Sequence, residues 1–440
     1  MTSKTRTKTW LLRASVAAVA TVCSVAVQAQ TATATAATAA TAASAGAGST
    51  EAAASASNLR QVFDAAWARQ PEALALQARR GASRAQQIAA KAWTPEPAAL
   101  EFSSKTDRLG SSQGARELEV GVVVPLWLPG ERNRSAALAD AEGAAIESRA
   151  TAAQLRVAAT VRDAWWQWQR ARIEVGAARD QLENSRLIAA DVARRAKAGD
   201  LARADQHQAD GAVASAEASV AQTAPGLAAA RQRLGALAGA APATSEVGDA
   251  LAEPDPGTAA AAVEAHAALQ ELKDRAAVAQ RTVALTATRS RANPELMLAT
   301  TRERGVRGEA SQQMITLGIR IPFGAGPRLD ARSANARAEA TEILAQLALE
   351  RGRLTAEREA VRAQVEASRT QLTAAERRAQ LARESRGFFD KSFRLGETDL
   401  PTRLRIEAEA AEADRQAART RIELSAAMSA WRQALGLLPQ

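Results

Sequence analysis

The chain has 440 residues and a formal net charge of +9; 47% of it is apolar, only 3% is aromatic, and tyrosine is absent. Alanine supplies most of the apolar content, which excludes a conventional aromatic-rich core and fits long, closely packed helices. Nucleic-acid binding would call for a basic stripe with stacking aromatics, whereas stretches such as "ERGRLTAEREAVRAQVEASR" interleave both charge signs as a solvated helix face does, so no nucleic-acid partner is expected.

At the N-terminus, Lys4, Arg6, Lys8 and Arg13 surround an apolar run from Leu11 to Val27 that ends in "VQAQ". Residues 1 to 29 read as a secretory signal peptide cut after Ala29, whose loss lowers the charge to +5. Cys23, the single cysteine, lies inside this run; the alternative that it carries a lipid is opposed by the bulk of Val22 before it. Nothing after residue 30 provides the ~18 apolar residues of a membrane-spanning helix, so entry into a membrane would require a barrel. Residues 30 to 57 are Ala/Thr/Ser-rich and read as a disordered linker. Asn58 is the expected cap of the first helix, Pro71 interrupts it, and a second helix is expected to about residue 93.

An internal duplication organises the rest. "VGVVVPLWLPGERNRSAALADAEGAA" and "LGIRIPFGAGPRLDARSANARAEA" share a strand, a proline, a Gly/Pro turn and a helix start, and Gly121/Gly318, Pro125/Pro322, Gly199/Gly396 and Gly239/Gly436 are each 197 apart. The first repeat spans 58–240, with a β-hairpin at about 98–125 and a helical hairpin at about 131–238. A linker follows at 241–257. The second repeat spans 258–440, with a helix, a β-hairpin at about 294–322 and a helical hairpin at about 328–436.

Period-two alternation puts Leu118, Val120, Val122 and Val124 on one face of a strand and Glu117, Glu119 and Gly121 on the other. Ile315, Leu317, Ile319 and Ile321 likewise oppose Thr316, Gly318 and Arg320. Four strands in two separated hairpins cannot close a barrel alone, so they need copies of themselves. The helices at 131–197 and 328–394 would each be about 100 Å long. In the second, Ile343, Leu347, Leu354, Val361, Val365 and Leu372 form a narrow apolar stripe suited to side-by-side packing. The shorter helices at 201–238 and 258–291 are expected to stack end to end on each other, and that at 398–436 on the helix at 72–93.

With its tandem repeat, its junctions "VPLWLPGERNR" and "IPFGAGPRLDAR", and its turn "FRLGETDL" before a helix ending in "AWRQALG", the chain from Asn58 to Gly436 resembles the outer-membrane efflux protein family, the TolC-type ducts of tripartite export systems. The resemblance implies a mainly α fold with a small β part. Long antiparallel helical hairpins would form an α-barrel, and four strands per chain would enter a twelve-stranded transmembrane β-barrel of a homotrimer. It also implies an outer-membrane location with a large periplasmic portion, a periplasmic membrane-fusion adaptor and an inner-membrane efflux pump as partners, and passive export of drugs or metal ions.

On that footing Leu118, Val120, Val122, Val124, Ile315, Leu317, Ile319 and Ile321 should face lipid, and Glu117, Glu119, Thr316 and Arg320 the lumen. Aspartate at Val122 or Ile319 should then block insertion, with Gly121 the more tolerant site. Trp127 and Phe323 follow the strands, as interfacial aromatics or as core fillers. The turns at Gly199 and Gly396 become periplasmic tips, with Lys197, Gly199, Leu201, Leu395, Gly396, Thr398 and Leu400 as adaptor contacts. Some relatives narrow the tunnel there with aspartates; this chain has Asp205, Thr402 and Arg405 as its aperture candidates.

Enzyme chemistry is not legible. The two histidines are His207 and His266, and His207 with Asp205 and Asp210 reads as exposed polar surface rather than a metal site. There is no nucleophile set or phosphate loop, and no cofactor or metal is expected. Trp165, Trp166 and Trp168 read as helix packing. The rival to a duct is a soluble periplasmic coiled-coil adaptor or scaffold with a small sheet domain.

Overall fold

The computed structural model describes residues 58–108, 110, 113–239, 253–256, 262–323 and 326–440. The signal peptide, the 30–57 linker and most of the 241–257 linker lie outside them. The elements, in order, are α1 (Leu59–Ala68), α2 (Pro71–Ala90), β1 (Ala99–Thr106), β2 (Arg116–Pro125), α3 (Glu131–Ala198) and α4 (Arg203–Ala238). After a 3₁₀ turn at Val263–Ala265 come α5 (Ala267–Thr288), β3 (Glu295–Arg304), β4 (Gln312–Arg320), α6 (Pro327–Arg394) and α7 (Leu400–Ala434). The fold is mainly α with one small sheet. Asn58 caps α1, its side chain accepting the Gln61 amide at 2.9 Å, and Pro71 opens α2, where a missing N–H costs nothing. No helix among the described residues is long and apolar enough to cross a membrane.

α3 and α6 are each 68 residues long and run the length of the molecule, with the shorter helices laid against them. In the half next to the sheet the order across is α2, α3, α5, α6. Arg80 of α2 holds Glu147 of α3, Arg156 of α3 holds Glu271 of α5, and Ala276 and Ala279 of α5 pack on Ala340 and Ile343 of α6. In the far half it is α4, α3, α7, α6, through Arg186–Glu217, Arg415–Glu174 and Arg383–Asp414. Exposed pairs of this kind each contribute under ~1 kcal/mol, so the buried apolar seams do most of the holding. On α6, Ile343, Leu354 and Val365 are buried, and Leu347, Val361 and Leu372 half-buried.

One expectation is overturned. α4 does not continue into α5, nor α7 into α2. Gly239, at the end of α4, abuts Arg69 just before α2, and Gly436, at the end of α7, abuts His266 at the head of α5. Each helical column is therefore completed within its own repeat, α4 by α2 and α7 by α5. α5 is also shorter than the expected 258–291.

The four strands form one antiparallel sheet in the order β1-β2-β3-β4, leaving β1 and β4 as open edges. The pairing sets Gly121 opposite Ala299 at its centre.

Candidate functional site

The sheet is the first functional surface. Its register puts Leu100 and Phe102, Leu118, Val120, Val122 and Val124, Leu296 and Leu298, and Ile315, Leu317 and Ile319 on one face. Leu118, Val122, Ile315, Leu317 and Ile319 on that face are exposed, from 41% at Leu118 to 78% at Ile315, Val120 and Val124 are half-buried, and among the described residues no helix is packed along it. Ile321 falls just past β4 and is also exposed. Glu117, Glu119, Thr316 and Arg320 share the opposite face, where Gly121, Val123 and Ala299 are buried although no element among the described residues covers them. Burial without a covering layer means that the sheet curls toward its polar side. A Cβ on Gly121 would come within 3.1 Å of the Ala299 Cβ, a close approach that glycine eases and that a side chain would meet only if Ala299 gave way by a few tenths of an ångström.

At the strand-to-helix junction, Trp127 donates its indole N–H to the Ala92 carbonyl at the end of α2, while Trp93 and Phe323 stand 94% and 88% exposed. Glu131, 1% exposed at the start of α3, accepts from the Leu128 amide and the Asn293 side chain at 3.0 Å each and from Arg289 Nε at 2.7 Å. It clasps the exit of β2 to the entry of β3.

At the opposite end, Gly199 and Gly396 take φ of 88° and 79°, left-handed values that let the Asp200 and Glu397 amides bond back to Arg195 and Ser392. Lys197, Gly199, Leu395 and Gly396 are exposed and Leu201 and Thr398 half-buried. Leu400, by contrast, is 2% exposed and packs on Ile188, Val192, Ala209 and Phe393, because Asp399 caps α7 and turns its first residue inward. The Phe393 ring sits between the guanidiniums of Arg195 and Arg403, 5.1 and 4.6 Å from its centroid. Arg403 also donates to Asp390 at 2.8 Å and lies 3.7 Å from Asp191, so α3, α6 and α7 meet in one charged knot. Of the aperture candidates, Asp205 accepts the Ala202 amide at 3.0 Å as an α4 cap, Thr402 donates its amide to Asp399, and Arg405 pairs with Glu409 along α7.

No family model matches the chain, and no curated protein matches it. Among solved structures it is similar to the outer membrane protein VceC from Vibrio cholerae, at 18% identity over 86% of this chain and 96% of that one, TM-score 0.64. It is similar also to CusC, at 15% identity over 86% and 92%, TM-score 0.69, and to the open state of the MtrE outer membrane channel of Neisseria gonorrhoeae, at 15% identity over 86% and 89%, TM-score 0.67. The chain has the TolC-type channel fold.

Within this channel fold, sequence reading missed a buried ionic cluster midway along the helices. Arg162 of α3 grips Glu253 with two bonds, 3.0 and 2.7 Å, at side-chain exposures of 3% and 0%. Ser429 of α7 donates to the same carboxylate, Arg432 Nε lies 3.3 Å from it, and Arg432 also holds the Pro254 carbonyl. Glu253 and Pro254, between the repeats, are thereby pinned to both long hairpins. Next to it Trp165, Trp166 and Trp168 are buried against Leu59, Val62 and Phe63 of α1 and Leu234 of α4. A signal was available: Arg162 stands three and four residues before Trp165 and Trp166, a cation on the most apolar helix face. His207 is exposed, and no group of three or more metal-ligating side chains occurs among the described residues.

Proposed function

We propose that the chain is the outer-membrane duct of a tripartite efflux system, passing small solutes such as drugs or metal ions outward without an energy source of its own. One observation carries this reading: a sheet that curls toward a polar face, exposes a largely apolar face broken by Thr300 and, toward the hairpin end, by Ser104, Arg302 and Gln313, and leads at each junction into helices too polar to enter a bilayer. In hydrocarbon every backbone edge must be paired, so the open β1 and β4 call for further copies, and three give twelve strands and a twelve-column tunnel. The apolar face then meets lipid, and Trp93, Trp127 and Phe323 lie at the level of a membrane boundary.

The exposed residues of the two tips, Lys197, Gly199, Leu395 and Gly396, are offered to a periplasmic adaptor that couples the duct to an inner-membrane pump, with the half-buried Leu201 and Thr398 beside them and Leu400 supporting them from within. Asp205, Thr402 and Arg405 would line the narrow end. The fold likeness supports a channel over an enzyme, and the exposure of Leu100, Phe102, Leu298, Ile315 and Leu317 speaks against the soluble scaffold.

Val122→Asp and Ile319→Asp are expected to abolish outer-membrane insertion, whereas Thr316→Asp, on the polar face and free of the Gly121–Ala299 contact, should insert and conduct. Fractionation, a detergent-stable trimer and conductance in planar bilayers are the readouts. Recovery of the parent chain as a monodisperse soluble protein without detergent would overturn the proposal.

A further inference from the structure

Among the described residues the outer edges of β1 and β4 have no partner strand, and the chain contains the template for what should pair with them. Within one protomer the repeats meet along β2 and β3, with Gly121 opposite Ala299. Every position there has a counterpart in the other repeat. β2 maps onto β4 by 197 residues, as Val122 onto Ile319. β3 maps onto β1 by 196, because Leu296 faces Ile319 as Leu100 faces Val122. The second hairpin is one residue longer. Applying both shifts to the internal seam places Gly318 opposite Ser103 of a neighbouring copy.

We propose that β4 pairs antiparallel with β1 of a second copy in this register, with Arg320 opposite the neighbour's Glu101 as an ion pair bridging subunits on the lumen face. The proposal rests on the reading of the sheet as one wall of a shared barrel. The register keeps the faces consistent: Ile319 meets Phe102 and Ile321 meets Leu100 on the apolar side, while Thr316 meets Lys105 on the polar side. A slip by one residue would turn Phe102 into the lumen. Charge fits as well. Arg320 is 79% exposed with Glu295 at 3.3 Å on one flank, and Glu101 is exposed on the edge strand that would close the other.

The helices give an independent check. Ala152 of α3 packs near Ala267 of α5. The same shifts convert this contact into Leu349 of α6 against Pro71 of the neighbour's α2, and Leu349 and the nearby Leu74 are 75% and 73% exposed. Ile88, 74% exposed, is the counterpart of Ala284, whose carbonyl accepts from Arg134 of α3. Large apolar side chains are thus bare on the surfaces that this seam would cover.

The test is cysteine cross-linking of the full-length chain in outer membranes, against a parent without added cysteines. Residues 103 and 318 of one chain lie across the whole sheet, about 14 Å apart, so a bond between them must join two copies. Gly318→Cys with Ser103→Cys should give a reducible ladder ending at the trimer. Gly318→Cys with Lys105→Cys or with Glu101→Cys should not, because diagonal partners stand ~7–8 Å apart. Assembled trimers that bond only at a shifted pair, or at none, overturn this register and leave the duct intact; a soluble monomer overturns both.

Charge reversal supplies a second reading. Arg320→Glu and Glu101→Arg should each lower the temperature at which the detergent trimer dissociates, and together restore part of the loss, the repulsion between residue 320 and Glu295 remaining. No recovery in the double variant would overturn the ion pair.

Discussion

The two repeats share a backbone plan but not a chemistry. α3 and α6 are both 68 residues long, yet twenty residues of α3 are buried against eight of α6. Where α3 carries Arg162, Trp165 and Trp166, α6 carries Glu359, Arg362 and Ala363 at the same offset. The tryptophans answer to α1, which opens the first repeat and packs on them. The junctions differ in the same sense. Glu131 clasps Arg289 and Asn293 inside the chain, whereas the corresponding positions at the open side are Arg328 and Pro97, which cannot repeat that bond. The first repeat is built as an interior and the second as a boundary, so the seam within a protomer is fixed by folding and the seam between protomers is left to assembly.

The largest effects should come from the interior cluster. Arg162→Ala or Glu253→Ala strands a buried charge and should cost about 3–5 kcal/mol, read from denaturant unfolding of the detergent-solubilised protein. The exposed counterpart Glu359→Ala should stay within about 0.5 kcal/mol. Equal losses at the two positions would remove the distinction between repeats. Next comes the clasp. Glu131→Ala orphans the Leu128 amide and the Asn293 side chain and should cost ~1–3 kcal/mol for the groups left unpaired. Arg328→Ala, exposed, should change little, and native-state hydrogen exchange at the Leu128 amide would show whether the loss is local.

Much of this plan is legible in sequence, for a physical reason. Strand alternation and the 197-residue offset are periodic signals, and periodicity survives without knowledge of contacts, which is why the apolar face of β2 and β4 could be read residue by residue. Helix stacking is different. It depends on which ends meet in space, and chain order pointed to α4–α5 where the meetings of Gly239 with Arg69 and Gly436 with His266 decide otherwise. Leu400 looked like surface because its neighbours at the tip are; the Asp399 cap, one residue earlier, sets the helix phase that buries it. The Arg162–Glu253 pair joins residues 91 apart, and one of four acids in a Pro/Gly-rich segment carries no local mark of a buried partner.

The smallest effect, and the finest probe of the two repeats, lies at the heads of α2 and α5. Gln70 holds the N-cap position of the first without a side-chain bond, and His266 that of the second, its Nδ1 accepting the Ala268 amide at 3.3 Å. Burial pushes the His266 pKa down, opposed by its bond to the Gln433 backbone and by Glu357 and Glu350, and reinforced by Arg353. A folded value below the unfolded one, about 6.5, means that the neutral ring stabilises the fold fully above that pH. The contribution declines as pH falls through 6.5 and is gone below the folded pKa. His266→Gln puts the first repeat's own cap in the second, so between pH 7.5 and 5 the variant should lose less thermal stability than the parent. The carboxylates common to both chains cancel in that difference, and a parent that loses no more than the variant would show that the ring is not held neutral at the α5–α7 joint.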